Sequence, residues 1–264
     1  MGENKIELDG ITKEFKTKNG KIVALQNVSF KVKEGDLIAL VGPSGCGKST
    51  VIRMIDGIIS PTKGSIKIDD DRYTGEPDKT VLKKIGFVFQ NPNLLPWLTV
   101  RDNLKVPLKV MGLQGNEWEK RVDELLRMVG LEKAANLYPR EISEGMKQRL
   151  GVIRAMVHDP EILLMDEPFG ALDELTRETL DLEILKIWGQ TKKTIIFITH
   201  NIAEAILIAS QVYVMGTNPG RIMKEIEIEL PYPREHSCME TEYFANLETE
   251  LMGLIDNVGL DKIK

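Results

Sequence analysis

Residues 42–50, GPSGCGKST, narrow the folds open to this chain more than any other segment. They follow the apolar run DLIALV and open the run KSTVIRMIDGI, whose Val51, Met54, Ile55 and Ile58 predict one buried helical face. Strand, glycine-rich turn and helix in that order build a cradle for phosphate. Gly42, Gly45 and Gly47 let successive N–H groups turn inward around an anion, and the helix start adds its positive end. Gly42-x-x-x-x-Gly47-Lys48-Ser49 is therefore read as a P-loop, with Pro43, Ser44, Cys46 and Thr50 completing it. Lys48 is placed to reach the β- and γ-phosphates and Ser49 to ligate Mg²⁺. Two readings of Cys46 stand: a small loop residue, which is preferred, and a thiol that makes the loop redox-sensitive.

The rest of the chain supplies a frame for such a turn. NVSFKV, KIVAL, GSIKI and IGFVF read as strands. EILLMDEP and TIIFITH are nearly continuous apolar runs, as expected of strands covered on both faces. Between about 92 and 157 the periodicity is helical. Trp118, Val122, Leu125 and Val129 share one face, and Met146, Leu150, Ile153 and Val157 another. Further helices are predicted over about 174–188 and 241–257, the last carrying Phe244, Leu247, Leu251 and Leu254. Strands, an α/β core, a helical insertion and the core resumed predict a mixed sheet with helices around it and one projecting lobe.

Composition excludes several function classes. The net charge of −5, with Lys and Arg scattered among the acids, gives no basic stripe for nucleic acid. Two cysteines imply no disulfide framework. The first ten residues hold no apolar signal segment, and no run of about 18 apolar residues occurs. A location inside the cell, on a membrane only through partners, is expected.

Three more strand ends carry polar groups. Asp166 closes ILLMD, where a carboxylate holds Mg²⁺ directly or through water, and Glu167 next to it is suited to polarise an attacking water. His200 ends TIIFITH and is suited to contact a γ-phosphate or the lytic water. Gln90 ends IGFVFQ, where its amide can touch metal and water, and it opens the helical insertion.

With these groups in order, nearly the whole chain resembles the ATP-binding subunits of ABC transporters. Gly42–Thr50 is similar to their Walker A, Ile162–Asp166 to Walker B, Gln90 to the Q-loop, Ala171-Leu172-Asp173 to the D-loop and His200 to the switch histidine. Phe15 matches the aromatic that stacks on adenine; the alternative is a core strand residue. The resemblance implies an α/β P-loop NTPase of the RecA-like type with an N-terminal antiparallel β-subdomain and an inserted helical subdomain. Residues 1–91 and 158–230 would form the β-subdomain and core, 92–157 the helical part, and 231–264 a tail and helix, all in one ATPase domain. It implies ATP and Mg²⁺ as cofactors. Ser49, Gln90 and Asp166 would hold the metal, and Glu167, His200 and Gln90 would serve catalysis.

The family pattern also implies a homodimer closing head to tail on two ATP molecules, with Ser143, Gly145 and Asp173 facing the ATP bound by the partner copy. It implies two integral membrane permease subunits, an extracytoplasmic solute-binding protein, and a peripheral place on the cytoplasmic face of the membrane. The signature helix of the family begins Leu-Ser-Gly-Gly-Gln or -Met, whereas Ile142-Ser143-Glu144-Gly145-Met146 stands here. A Glu in the first helical turn complements the helix dipole by about 0.3–1 kcal/mol, the preferred reading. The sharper one is repulsion of ATP: at about 8 Å and an effective dielectric of about 20, a like-charge pair costs about 2 kcal/mol before screening. Glu144 would add strain if its position needs positive φ.

NPNLLPWLTVRDNL and NPGRIMKEIEIELPYPR are similar to segments of importers for nitrate, aliphatic sulfonates and taurine, a group that includes carriers of bicarbonate and thiamine-precursor pyrimidines. The 49 residues after Met215 are few for an appended regulatory domain, against the maltose-importer type. Trp97 is expected either to anchor a coupling helix of the membrane subunit or to be buried in its own lobe. Two alternatives remain: a soluble ABC-type ATPase acting on ribosomes or DNA, and a non-hydrolysing regulatory module. The single cassette with net negative charge, and the presence of Lys48, Glu167 and His200, speak against them.

Overall fold

The computed structural model describes residues 4–18, 20–170 and 172–260, with side chains to residue 256. In chain order, β1 (Asn4–Thr17) and β2 (Gly20–Lys33) form a long hairpin, and β3 (Leu37–Val41) leads through the glycine loop into α1 (Lys48–Ile55). Then come β4 (Lys63–Ile68), β5 (Asp71–Tyr73), α2 (Lys79–Leu82) and β6 (Ile85–Val88). Three helices follow: α3 (Val100–Met111), α4 (Asn116–Met128) and α5 (Glu144–Met156). The chain resumes with β7 (Ile162–Asp166), α6 (Glu174–Thr191), β8 (Thr194–Ile198), α7 (Ile202–Ile208), β9 (Gln211–Gly216), β10 (Arg221–Glu227) and α8 (Glu242–Leu260).

Two sheets result. One is antiparallel, in the order β2-β1-β4-β5. The other runs β10-β9-β3-β8-β7-β6, parallel except for β10. Its central strands LIALV, ILLMD and TIIFI are buried at every residue, because alternate side chains feed two cores. Ile38, Leu40, Ile162, Leu164, Ile196 and Ile198 pack with α1 and the antiparallel sheet. Leu37, Ala39, Leu163, Met165, Ile195 and Phe197 pack with the helices on the other face.

Local chemistry explains where elements differ from the sequence reading. KIVAL and NVSFKV are one strand, β2, with register irregularities against β1; Asn27, which opens NVSFKV at φ +51, does not end it. The helix expected over 48–58 stops at Ile55, because Gly57 turns left-handed at φ +73 and donates back to Met54 O at 3.2 Å; Ile58 is exposed. Conversely α6 runs to Thr191, closed by Lys192 at φ +51 donating to Trp188 O. In α8, Phe244, Leu247 and Leu251 are buried and Leu254 half-buried. Trp118 and Met146 are half-buried where the other members of their faces are buried.

Candidate phosphate- and metal-binding site

Strand order decides what meets what. β3, β8, β7 and β6 are neighbours and parallel, so their C-terminal ends share one edge. Leu40 pairs with Ile198, Ile198 with Asp166, and Met165 with Val88. Gly42, His200, Asp166–Glu167 and Gln90 therefore emerge side by side, in the crevice where open α/β sheets bind ligands.

The loop after β3 is built for a close backbone approach. Gly42 sits at φ +152, and a Cβ there would meet Met215 O at 2.5 Å. Gly47 sits at φ +104, and a Cβ there would meet Leu25 Cδ2 at 2.5 Å. Lys48 is buried, its ammonium donating to Gly42 O at 2.7 Å and Pro43 O at 3.3 Å. Ser44, Gly45, Gly47, Lys48, Ser49, Thr50 and Glu167 line a cavity of about 240 Å³. Cys46 is 1% exposed and burial pushes its thiol pKa up, so it is a packed loop residue and not a thiolate.

Ser49 Oγ donates to Asp166 Oδ1 at 2.7 Å, and Arg53, one turn along α1, lies 3.5 Å from Asp166 Oδ2. A hydroxyl and a buried carboxylate at one point are hard oxygen donors of the kind Mg²⁺ takes. Among the described residues no cluster of three or more His, Cys, Asp or Glu is placed to hold a metal. Glu167 adopts φ +46, which costs a non-glycine residue about 1 kcal/mol or more. Its N–H donates to Ile198 O and its carbonyl accepts from Gly170, fixing the carboxylate 3.2 Å from His200 Nδ1.

Gln90 is exposed, and its carbonyl accepts from Gln148 Nε2 at 3.3 Å. Arg154, two turns along α5 from Gln148, donates to Pro92 O and Asn93 O. Helix α5, capped by Ser143, thus grips the backbone leaving Gln90. Phe15 is 39% exposed with Lys13 Nζ 5.1 Å from its ring centre, which sets aside the core alternative.

Ser143, Gly145 and Asp173 do not line the glycine-loop cavity. Ser143 caps α5, accepting from Met146 N at 3.3 Å, and a Cβ on Gly145 would lie 3.3 Å from Thr176 on α6. Glu144 is the first residue of α5, with no positive φ, and pairs with Lys147 at 3.0 Å. Asp173 caps α6, and hydrogen bonds from Thr176 hold its carboxyl below the usual range. Ala171 lies outside the described residues.

Two supporting residues stand outside the motifs legible in the sequence. Arg53 had a signal, the i+4 spacing from Ser49 on one helix. Gly220 had none: it lies 170 residues beyond the loop, yet a Cβ there would meet Cys46 O at 2.0 Å.

The sequence profile described as ABC transporter matches residues 25–170. The chain is 40% identical to the aliphatic sulfonates import ATP-binding protein of Bacillus cereus over 255 residues, 97% of each chain. It is 40% identical to the nitrate import ATP-binding protein of Synechocystis over 254 residues, 96% of this chain and 93% of that one. Among solved structures it resembles a dimeric post-hydrolysis ATP-binding cassette bound to ADP and Pi, at 34% identity and a TM-score of 0.75, covering 86% of this chain and all of that one.

Proposed function

This chain belongs to the ABC transporter family and is an ATPase, and from that premise we propose that it is the motor subunit of an importer, working as a head-to-tail homodimer beneath two membrane permease subunits. The observation that carries the reading is the shared sheet edge, where Ser49 meets Asp166 and Glu167 meets His200.

Each residue does work that its position favours. Lys48 and the N–H groups of residues 44–50 hold the phosphates, and Phe15 stacks on adenine. Ser49 and Asp166, with Gln90, hold Mg²⁺, which when bound neutralises charge on the phosphate oxygens. Glu167, fixed by its backbone, orients or deprotonates the attacking water, and His200 steadies the γ-phosphate. Ser143 and Gly145 at the start of α5 meet the ATP of the partner copy, with Asp173 beside them. ATP binding closes the dimer, and hydrolysis lets it reopen.

No helix of the described residues is long and apolar enough to cross a membrane. The chain is read as attached to the cytoplasmic face through its permease partners. Trp97 is 69% exposed and not buried in its own lobe, which supports reading it as an aromatic anchor for the permease subunit. Relatives named for sulfonates and for nitrate are equally similar, which favours uptake of a small solute of that kind, taurine included, delivered by an extracytoplasmic binding protein.

Turnover tests this reading. Glu167→Gln should retain ATP binding and lose about a hundredfold or more in ATP hydrolysis. Retained hydrolysis removes Glu167 as the base. The wild-type chain should co-purify with an integral membrane protein; co-purification with ribosomes would contradict the importer reading.

A further inference from the structure

A buried acidic pair is linked to the loop that carries His200. Asp181, on α6, is 2% exposed, and Glu204, in the first turn of α7, is 6% exposed. Their carboxyls act on each other across the packed α6–α7 contact. Thr199, the residue before His200, donates its hydroxyl to Glu204 Oε2. Asn201, the residue after it, donates its N–H to Thr199 Oγ1 at 2.9 Å and accepts Glu204 N–H on its side-chain oxygen at 3.1 Å. Both neighbours of His200 are thus tied to Glu204, and Glu204 to α6 through Asp181.

Charge and hydrogen-bond accounting both call for a proton. Two ionised carboxylates in contact and out of water repel strongly. As a carboxylate, Asp181 leaves Oδ1 buried with no partner among the described residues; as an acid it donates to Glu204. Arg177 faces the pair from one turn earlier on α6, anchored on Leu172 O at 3.0 Å. Glu178 also faces it from α6 and His200 from the loop. One proton on the pair leaves a single negative charge for Arg177 to balance. Burial drives the same outcome: Asp181 is pushed up to about 10, and Glu204 is raised as well.

We propose that Asp181 and Glu204 share one proton at neutral pH and act as positioning residues, clamping the His200 loop onto α6, the helix that Asp173 caps. The positioning role rests on the reading of His200 as a γ-phosphate contact; the shared proton does not. Because the folded-state pKa is raised, the favourable contribution is complete below the ordinary carboxylate range and is lost as pH rises towards about 10.

The test uses the full chain. Infrared difference spectra of wild type against Asp181→Asn at neutral pH should show a neutral-acid carbonyl band that the variant lacks. Raising the pH of the wild type alone towards about 10 should remove that band well above the range, about 7, in which buried Asp56 ionises, a reading that survives if a variant fails to fold. Asp181→Asn, uncharged at every pH, should melt increasingly above wild type between about pH 6 and about pH 9. Its kcat should stay within about twofold of wild type, whereas Asp181→Ala should lose about tenfold in kcat with KM for ATP unchanged. Absence of the band from wild type at neutral pH overturns the shared proton. Equal impairment of Asp181→Asn and Asp181→Ala, or none in Asp181→Ala, overturns the positioning role. A His200→Ala control that keeps wild-type turnover removes the His200 reading and the positioning role with it, and leaves the infrared band to decide the proton.

Discussion

Ser49 Oγ donates to Asp166 Oδ1 across 2.7 Å, joining the first turn after the glycine loop to the end of a strand 117 residues later. The contact places two hard oxygen donors at one point, one of them backed by Arg53. Ser49→Ala and Asp166→Asn should each reduce the gain in ATP affinity produced by Mg²⁺ by about tenfold or more, about 1.4 kcal/mol, while affinity for Mg²⁺-free ATP stays within about threefold. Titration calorimetry with and without Mg²⁺ measures this, and an unchanged Mg²⁺ gain contradicts the assignment.

Glu144 should be tolerated. It opens α5 in ordinary helical geometry, and its half-exposed carboxylate pairs with Lys147. Exposed helix pairs at this spacing are worth about 0.2–0.5 kcal/mol, with a similar favourable effect from the helix start. Glu144→Gly should shift stability by less than about 1.5 kcal/mol, helix propensity included, and leave ATP turnover within about threefold. Steady-state turnover checks it: a rise of tenfold or more would make Glu144 a brake on closure.

What the sequence made legible follows a physical divide. Gly42, Lys48, Asp166, Glu167 and His200 lie at the ends of strongly apolar strands or in a dense local motif, so each announces its own place. Strand order is non-local, and nothing near Gln90 states that β6 lies beside β7. β1 was not singled out because its buried residues Ile6, Leu8 and Ile11 are interleaved with polar ones along a bulged strand. Gly220 and the Asp181–Glu204 pair act through contacts between segments far apart in the chain, and their residue types are unremarkable where they stand.

Arg234 should be a stability residue with no part in turnover. It donates to the carbonyls of Ile206, Leu207, Ala209 and Leu230 at 2.8–3.1 Å, satisfying the open end of α7, and its guanidinium lies 4.0 Å from the Tyr232 ring centre. Arg234→Ala strands several buried carbonyls and should cost about 3 kcal/mol or more in urea unfolding. A loss under about 1 kcal/mol would show that water replaces the guanidinium freely.

Thiol chemistry should spare the glycine loop. Cys46 is buried and Cys238 only partly so, and burial raises both thiols. Under native conditions maleimide should label Cys238 first by about tenfold in rate, read by peptide mass spectrometry. Faster labelling of Cys46 would revive it as a redox-sensitive residue.

The most direct test of the central claim is the size of the Glu167→Gln protein with and without saturating ATP. ATP bound between the glycine loop of one copy and Ser143 of the other, and not hydrolysed, should convert a monomer into a stable dimer by light scattering. Glu167→Gln protein that binds ATP and remains monomeric would contradict the head-to-tail site.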